Sequence, residues 1–165
     1  MKIFLGSDHA GYELKEKLVE YLAGLGLENE IVDKGPFNYN ANDDYPDFIK
    51  LVAEEVAQDE KSFGIILGGS GQGEAICANR TPNVRAVVFY GPKEPVGAID
   101  VKGEKSVDTF EIIKLAREHN NANILSIGAR FTTDDEAKFA TELFINTKFT
   151  DEERHIRRIK KIDTN

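Results

Sequence analysis

Short apolar runs alternate along the chain with longer stretches in which apolar residues recur every three or four positions. This is the pattern of βαβ units that build a parallel sheet. Ile3-Phe4-Leu5 reads as a first strand ending at Gly6-Ser7-Asp8. Leu14, Leu18, Tyr21, Leu22 and Leu25 then fall at helical spacing between about residues 10 and 25, where Gly24 and Gly26 supply a stop. A weaker strand over 30–33 leads into a loop rich in Gly, Pro and Asn. A second helix is expected from about Asp44, with Pro46 in its first turn and Phe48, Leu51, Val52 and Val56 on its buried face. The clearest strand, Phe63 to Leu67, runs straight into Gly68-Gly69-Ser70-Gly71-Gln72-Gly73 and a helical segment over 74–78. Val84 to Tyr90 is a fourth strand and Ile124 to Ile127 a fifth, separated by a helix over about 109–119. A helix over about 134–146, capped by Thr133 or Asp134, and a basic C-terminal helix at about 151–161 complete the order.

Five strands separated by helices predict a single α/β domain over 1–165, a doubly wound three-layer α/β/α sandwich. Ligands in such folds sit at the carboxyl ends of the strands. Here those ends carry Ser7-Asp8-His9, Gly68 to Glu74 and Gly128-Ala129-Arg130. Residues 91–108 interrupt the pattern, with Gly91, Pro92, Pro95, Gly97 and Gly103 among Lys and Glu. A connection this long inside a compact domain is either functional or mobile.

Composition narrows the choice of partner. The 165 residues hold 29 acidic and 21 basic side chains, a formal net charge of −8. A net acidic chain is repelled at long range by nucleic acid and by membrane surfaces, so neither is an expected partner. Residues 154–161 are the exception, with five basic side chains and no acid; the rest of the chain carries −13, the −8 total less those five. A single cysteine, Cys77, excludes an internal disulfide and a zinc site built on several thiolates, and the reducing cytoplasm is the expected compartment. Only three apolar residues follow Lys2 before polar ones arrive, against the ~7–15 of a signal-peptide core.

Several residues at the strand ends can carry chemistry. Glycines in Gly69-Ser70-Gly71-Gln72-Gly73 let the backbone approach a ligand while amides point at negative charge, an anion cradle in principle. The loop is neither a Walker A sequence nor a Rossmann fingerprint, and a tight strand-to-helix turn with no ligand is the plain alternative. Glu74 follows it. As a helix-start acid it stabilises the dipole by about 0.3–1 kcal/mol, which position alone favours; a partly buried Glu74 is instead a general base. Asp8-His9 and His119-Asn120 each set a histidine beside a carboxylate or amide, whereas His155 lies in the basic segment and reads as a surface residue. Arg154 and Arg158 are four apart and on one helix face, placed either to grip one phosphate or to suit the negative end of the dipole. Cys77, between Ile76 and Ala78, reads as a small packing residue.

Taken in order, Gly6-Ser7-Asp8-His9-Ala10-Gly11, Asp44-Tyr45-Pro46-Asp47-Phe48, Gly69 to Glu74, Ala116 to Asn123, Gly128-Ala129-Arg130 and Arg154-His155-x-x-Arg158 closely resemble the B-type ribose-5-phosphate isomerases. That family also includes galactose-6-phosphate and allose-6-phosphate isomerases. The resemblance implies a Rossmann-like α/β/α fold, a homodimer or dimer of dimers with shared active sites, and interconversion of an aldose phosphate and a ketose phosphate with no metal or organic cofactor. On it, Asp8 and His119 assist ring opening and Glu74 carries a proton between C2 and C1. Ser70 and the amides of the Gly69, Gly71 and Gly73 loop hold the enediolate oxygen; such donors lower a barrier by about 2.7–4 kcal/mol each. His9, Arg130, Arg154 and Arg158 fix the phosphate, and Tyr45 and Asn120 line the sugar site. One branch of the family uses a cysteine base just before the glycine loop, where this chain has Gly68; the other uses a glutamate just after it, which is Glu74.

The chain departs from the family pattern between Arg85 and Arg117, where it is roughly eighteen residues longer, so that 91–108 reads as an insertion. Ribose 5-phosphate and ribulose 5-phosphate are the expected substrates. Allose 6-phosphate, galactose 6-phosphate or a four-carbon sugar phosphate is the nearest alternative, because pockets discriminate by about 1–3 kcal/mol per methylene. A phosphate-ligand binding module without turnover is the remaining one.

Overall fold

The computed structural model describes residues 1–26 and 29–163. Eleven elements alternate along the chain: β1 (Lys2–Ser7), α1 (Tyr12–Gly24), β2 (Glu30–Asp33), α2 (Pro46–Gln58), β3 (Phe63–Gly68), α3 (Gln72–Ala78), β4 (Ala86–Phe89), α4 (Glu111–Asn120), β5 (Ile124–Gly128), α5 (Asp134–Asn146) and α6 (Glu153–Asp163). The five strands form one sheet in the order β2-β1-β3-β5-β4, and every neighbouring pair is parallel. The three-layer α/β/α sandwich expected from the pattern is the fold observed, and its sheet is wholly parallel. Among the described residues, no helix is long and apolar enough to cross a membrane.

Strand alternation divides the core. Ile3, Leu5, Ile65, Leu67, Leu125 and Ile127 face the layer of α1, α4 and α5, where Leu14, Leu18, Ile113 and Phe144 meet them. Phe4, Ile66 and Ile124 point the other way, onto Ile49, Val52, Ala53 and Val56 of α2 and Ala78 of α3. The expected buried face of α2 is rotated. Leu51 is 45% exposed and Phe48 only half-buried, while Ile49 and Ala53 are fully enclosed. The packing of α2 on Phe4 and Ile66 sets the helix phase, which spacing alone does not fix. Thr133 caps α5 as expected, in a full capping box with Glu136.

Two features position the functional residues. From β1 the chain runs to β2 on one side, and β3 then lies on the other, so β1 and β3 part at a switch point where such folds bind ligands. Secondly, α4 is clamped to the opposite sheet edge by Arg117. This buried guanidinium lies over the Phe63 ring at 4.7 Å and donates to Asn121 Oδ1 (2.9 Å), the Thr147 carbonyl (3.2 Å) and the Ala122 carbonyl. Burial lowers its pKa to about 10, so it stays charged at neutral pH.

Lys15 is the largest side chain buried without any exposure, and its ammonium pairs with Asp33 and Glu16, fastening α1 to β2. Removing one partner strands a buried charge. Asp33→Ala should therefore lower unfolding stability by about 3 kcal/mol in a urea titration. In a Lys15→Met background the same change should cost markedly less; equal losses in both backgrounds would show that the ion pair is not the source.

Candidate active site

The switch point gathers nine of the expected residues. Asp8 leaves β1 with its amide on the Leu67 carbonyl (3.3 Å), and its carboxylate oxygen Oδ1 accepts the amides of Ala10 (2.9 Å) and Gly11 (3.2 Å). The acid is thereby held rigid at the mouth of β3. The glycine loop follows. Gly71 takes the left-handed conformation, φ 75°, and its carbonyl accepts Ser126 Oγ at 2.7 Å. Any side chain there would meet Ser126 Oγ and the Gly128 amide at 3.1–3.2 Å. Ser70 Oγ accepts the Gln72 amide (3.3 Å), Arg130 lies over Gly69, and the Tyr45 ring lies over Gly73. Tyr45 and Arg130 thus flank the loop.

Glu74 is 4% exposed, and its carboxylate fills the space a side chain on Gly68 would occupy. A base on residue 68 and a base on residue 74 are therefore alternatives for the same volume. Burial raises the Glu74 pKa, its backbone hydrogen bond opposes that, and the nearby Asp8 charge raises it further. A carboxyl held this way is poised to gain and lose a proton nearer neutral pH.

Asp43 belongs to this edge and was not among the expected residues. Its Oδ1 accepts both the His9 amide (3.0 Å) and His9 Nδ1 (2.7 Å), which orients the ring and leaves Nε2 for a ligand. Nothing in the sequence separates Asp43 from Asp44 beside it; only the distance to His9 does. Asp8, His9 and Asp43 each offer a ligand atom within 4.8 Å of the others, a set able to hold a metal ion. His9 and Asp43 hydrogen-bond each other and Asp8 Oδ1 accepts two amides, while Asp43 Oδ2 is buried with no hydrogen-bond partner.

His119, Asn120, Arg154 and Arg158 lie elsewhere. Gly64 pairs with Ile124 and Gly68 with Gly128, so the start of β5 is at the amino-terminal edge of the sheet. α4 ends there, with His119 and Asn120 in its last turn. The length of β5 alone, roughly 13 Å at ~3.3 Å per residue, separates this edge from Glu74. Here His119 stacks on His155 with ring centroids 4.3 Å apart and planes 11° off parallel. His155 is not the surface residue its basic surroundings suggest. It is 2% exposed, its Nε2 has no hydrogen-bond partner, and burial lowers its pKa, with the His119 charge as the next cause. Arg154 and Arg158 share a face of α6 and line one cavity with both histidines. Cys77 is half-buried against the α2 cluster, as a packing residue is.

The chain is similar to known proteins over nearly its whole length. The model of a family described as Ribose/Galactose Isomerase matches residues 3–95 and 106–162, leaving 96–105 between the matched segments. Ribose-5-phosphate isomerase B of Mycobacterium tuberculosis is 41% identical over 159 residues, covering 96% of this chain and 86% of that protein. The Escherichia coli protein of the same name is 32% identical, covering 98% and 93%. Among solved structures, ribose-5-phosphate isomerase B from Mycoplasma genitalium with bound ribulose-5-phosphate superposes with a TM-score of 0.82 at 35% identity, over 98% of this chain and 93% of that one. The Thermotoga maritima structure gives 0.82 at 38%, over 99% and 98%.

The shared volume of Gly68 and Glu74 is testable directly. Gly68→Ala should push the Glu74 carboxylate toward water and remove the desolvation that raises its pKa. Titration of the side-chain carboxyl carbon by NMR should then show the midpoint falling back toward 4.5. An unmoved midpoint would mean that the new methyl group is accommodated without touching the acid.

Proposed function

The chain belongs to the ribose/galactose isomerase family, and from that premise we propose that it interconverts ribose 5-phosphate and ribulose 5-phosphate. Such an aldose–ketose isomerase is an intramolecular oxidoreductase, in which C1 is reduced as C2 is oxidised. The observation that carries the reading is the buried Glu74 carboxylate, raised in pKa, in the side-chain space of Gly68 and beside Asp8 at the switch point.

The geometry supports a sequence of proton movements. Asp8, rigid at the end of β1, faces the ring oxygen, and His119 takes part in the proton exchange that opens the furanose to the aldehyde. Glu74 then removes the proton from C2. Negative charge gathers on O1 of the enediolate, where Ser70 and the amides of Gly71 and Gly73 are preorganised to meet it. Glu74 returns the proton to C1, and the transfer of a proton from the C2 hydroxyl to O1 completes the ketose. Burial of Glu74 serves both halves, since an acid too readily ionised gives the proton back poorly. His9, oriented by Asp43, and Arg130 hold the phosphate with Arg154 and Arg158, while Tyr45 and Asn120 line the sugar.

A complete site needs two copies of the chain. Glu74 and His119 are on opposite sheet edges, so His119, Asn120, Arg154 and Arg158 of one copy act on the substrate held by the glycine loop of another. An apolar groove supports this pairing. β4 is an edge strand, and a cavity of about 520 Å³ runs along it between Val88, Tyr90, Pro95, Val96, Ile112 and Leu115. It continues beside Val87 and Ala116 to His119 and Asn120. Tyr90 and Ile112 are more than half exposed, the kind of apolar surface that a second subunit covers.

Glu74→Gln keeps the shape and removes the base. Turnover should fall at least about a thousandfold with sugar-phosphate affinity kept within about threefold. Thermal stability should not fall, because an acid with a raised pKa destabilises the fold when it is ionised at neutral pH. In the intact enzyme kcat should decline on acidification through a midpoint above 4.5, the ordinary glutamate value. Undiminished turnover in Glu74→Gln would remove it from the proton transfer.

Sharing is tested by mixing. Glu74→Gln and His119→Ala are each inactive; unfolded and refolded together they should regain about a quarter of intact activity, since half of randomly paired dimers are mixed and each has one of its two sites whole. No regain from mixed dimers verified by mass would place both residues in one chain's site.

A further inference from the structure

Residues 98–101 close one side of the cavity that holds Arg154, His155, Arg158 and His119. The cavity has a volume of about 190 Å³, and Ala98, Ile99, Asp100 and Val101 form the wall facing the cationic side chains of α6. They fall within the ten residues, 96–105, that lie between the two segments matched by the family model. A pocket that encloses a whole small-molecule ligand measures about 300–1,000 Å³. This one is smaller, so it takes one end of a substrate. On its lining the buried Nε2 of His155 has no hydrogen-bond partner, with the Glu152 carboxylate 4.0 Å away, and this marks the cavity independently as a place for a polar group.

The wall is built rather than draped. The Ile99 amide donates to the Glu104 carbonyl at 2.7 Å, and Asp100 Oδ1 accepts the amides of Lys102 (3.0 Å) and Glu104 (2.8 Å), which close a tight turn and hold that carboxyl below its ordinary range. At its base the Lys93 amide donates to the Thr109 carbonyl at 2.7 Å. Its exit is tied into α4: Ser106 Oγ donates to Glu111 (2.7 Å), and Asp108 accepts the Phe110 amide (2.8 Å) and pairs with Lys114. The segment and the helix that ends in His119 are thereby one unit. Ile99 is half-buried, so its side chain presents an aliphatic surface at a fixed distance from the arginines.

Resting on the isomerase reading above, we propose that residues 98–101 are a specificity-determining wall, with Ile99 at its centre, that limits how much chain fits between the phosphate and the reacting carbons. A five-carbon aldose phosphate spans the site; a six-carbon one brings an extra carbon and hydroxyl against an aliphatic face that offers no hydrogen bond. One such misplaced group is worth about 10–200-fold in discrimination. The wall touches no reacting atom, so its effect falls on KM and on the choice of sugar, and the proton transfers at Glu74 proceed as before.

The test compares the intact chain with Ile99→Ala and with a chain in which 96–105 is replaced by two glycines. Steady-state kinetics are measured on ribose 5-phosphate and allose 6-phosphate, and binding by calorimetry with ribitol 5-phosphate, which has no carbonyl to isomerise. The replacement should raise KM for ribose 5-phosphate about tenfold with kcat within about twofold, and should narrow the preference for ribose over allose phosphate at least about tenfold. Ile99→Ala should move both in the same direction by about threefold, which keeps the test intact if the replacement does not fold. Equal changes on both sugars, or unchanged KM and preference, would overturn the wall while leaving the isomerase reading in place. If neither sugar is turned over by the intact chain, yet the variants bind ribitol 5-phosphate more weakly, the isomerase reading fails and the wall stands.

Discussion

Because all five strands point the same way, the sheet has two chemically different edges. Each residue's place is then decided by whether it follows a strand or precedes one. Asp8 follows β1, Glu74 follows β3 and Arg130 follows β5, so they converge. His119 precedes β5, and Arg117 fixes it there by stacking on Phe63 and bonding the carbonyls of Thr147 and Ala122. No side chain reaches from one edge to the other. The separation of these two groups of residues is therefore a consequence of parallel topology, and the pairing proposed above rests on it.

Glu74 depends on a second constraint, the competition for space beneath the glycine loop. A residue with a side chain at 68 and a long acid at 74 cannot both point into it, because the Glu74 carboxylate already occupies that volume. Gly68 thus does more than ease a turn. It leaves the space that the Glu74 carboxylate fills, where burial raises its pKa, and Ser126 of β5 ties down the same loop by donating to the Gly71 carbonyl. The neighbouring Asp8 carboxylate accepts two backbone amides, whereas that of Glu74 is desolvated.

The fold was legible in the sequence because the strands are short, apolar and punctuated by glycine, and each lies within two residues of where the pattern places it. Helix phase was less legible: Leu51 is as apolar as Ile49, and only the packing of α2 on Phe4 and Ile66 decides which is enclosed. The candidate site residues were chosen by their order along the chain, and order says nothing about distance. That His119 stands apart from Glu74 needs the register of β5 on β3. Asp43 and His155 escaped for related reasons. The first is one of two adjacent aspartates, and the second sits among five cations whose usual meaning is a solvated face, yet α4 and α6 close over its ring.

The net charge of −8 is reconciled with an anionic substrate by the same geometry. Long-range attraction is not available to an acidic chain, so the phosphate must be held by cations at close range, where a partly enclosed site weakens screening. Arg130 stands at one edge and Arg154 and Arg158 at the other, so neither half-site presents the full cluster to solvent. On the pairing proposed above, the cations meet only where two copies do, around a base already sheltered from water. Assembly then creates the phosphate site and the ring-opening site in one step, and a single chain, however well folded, holds a poised acid with little to bring a sugar phosphate to it.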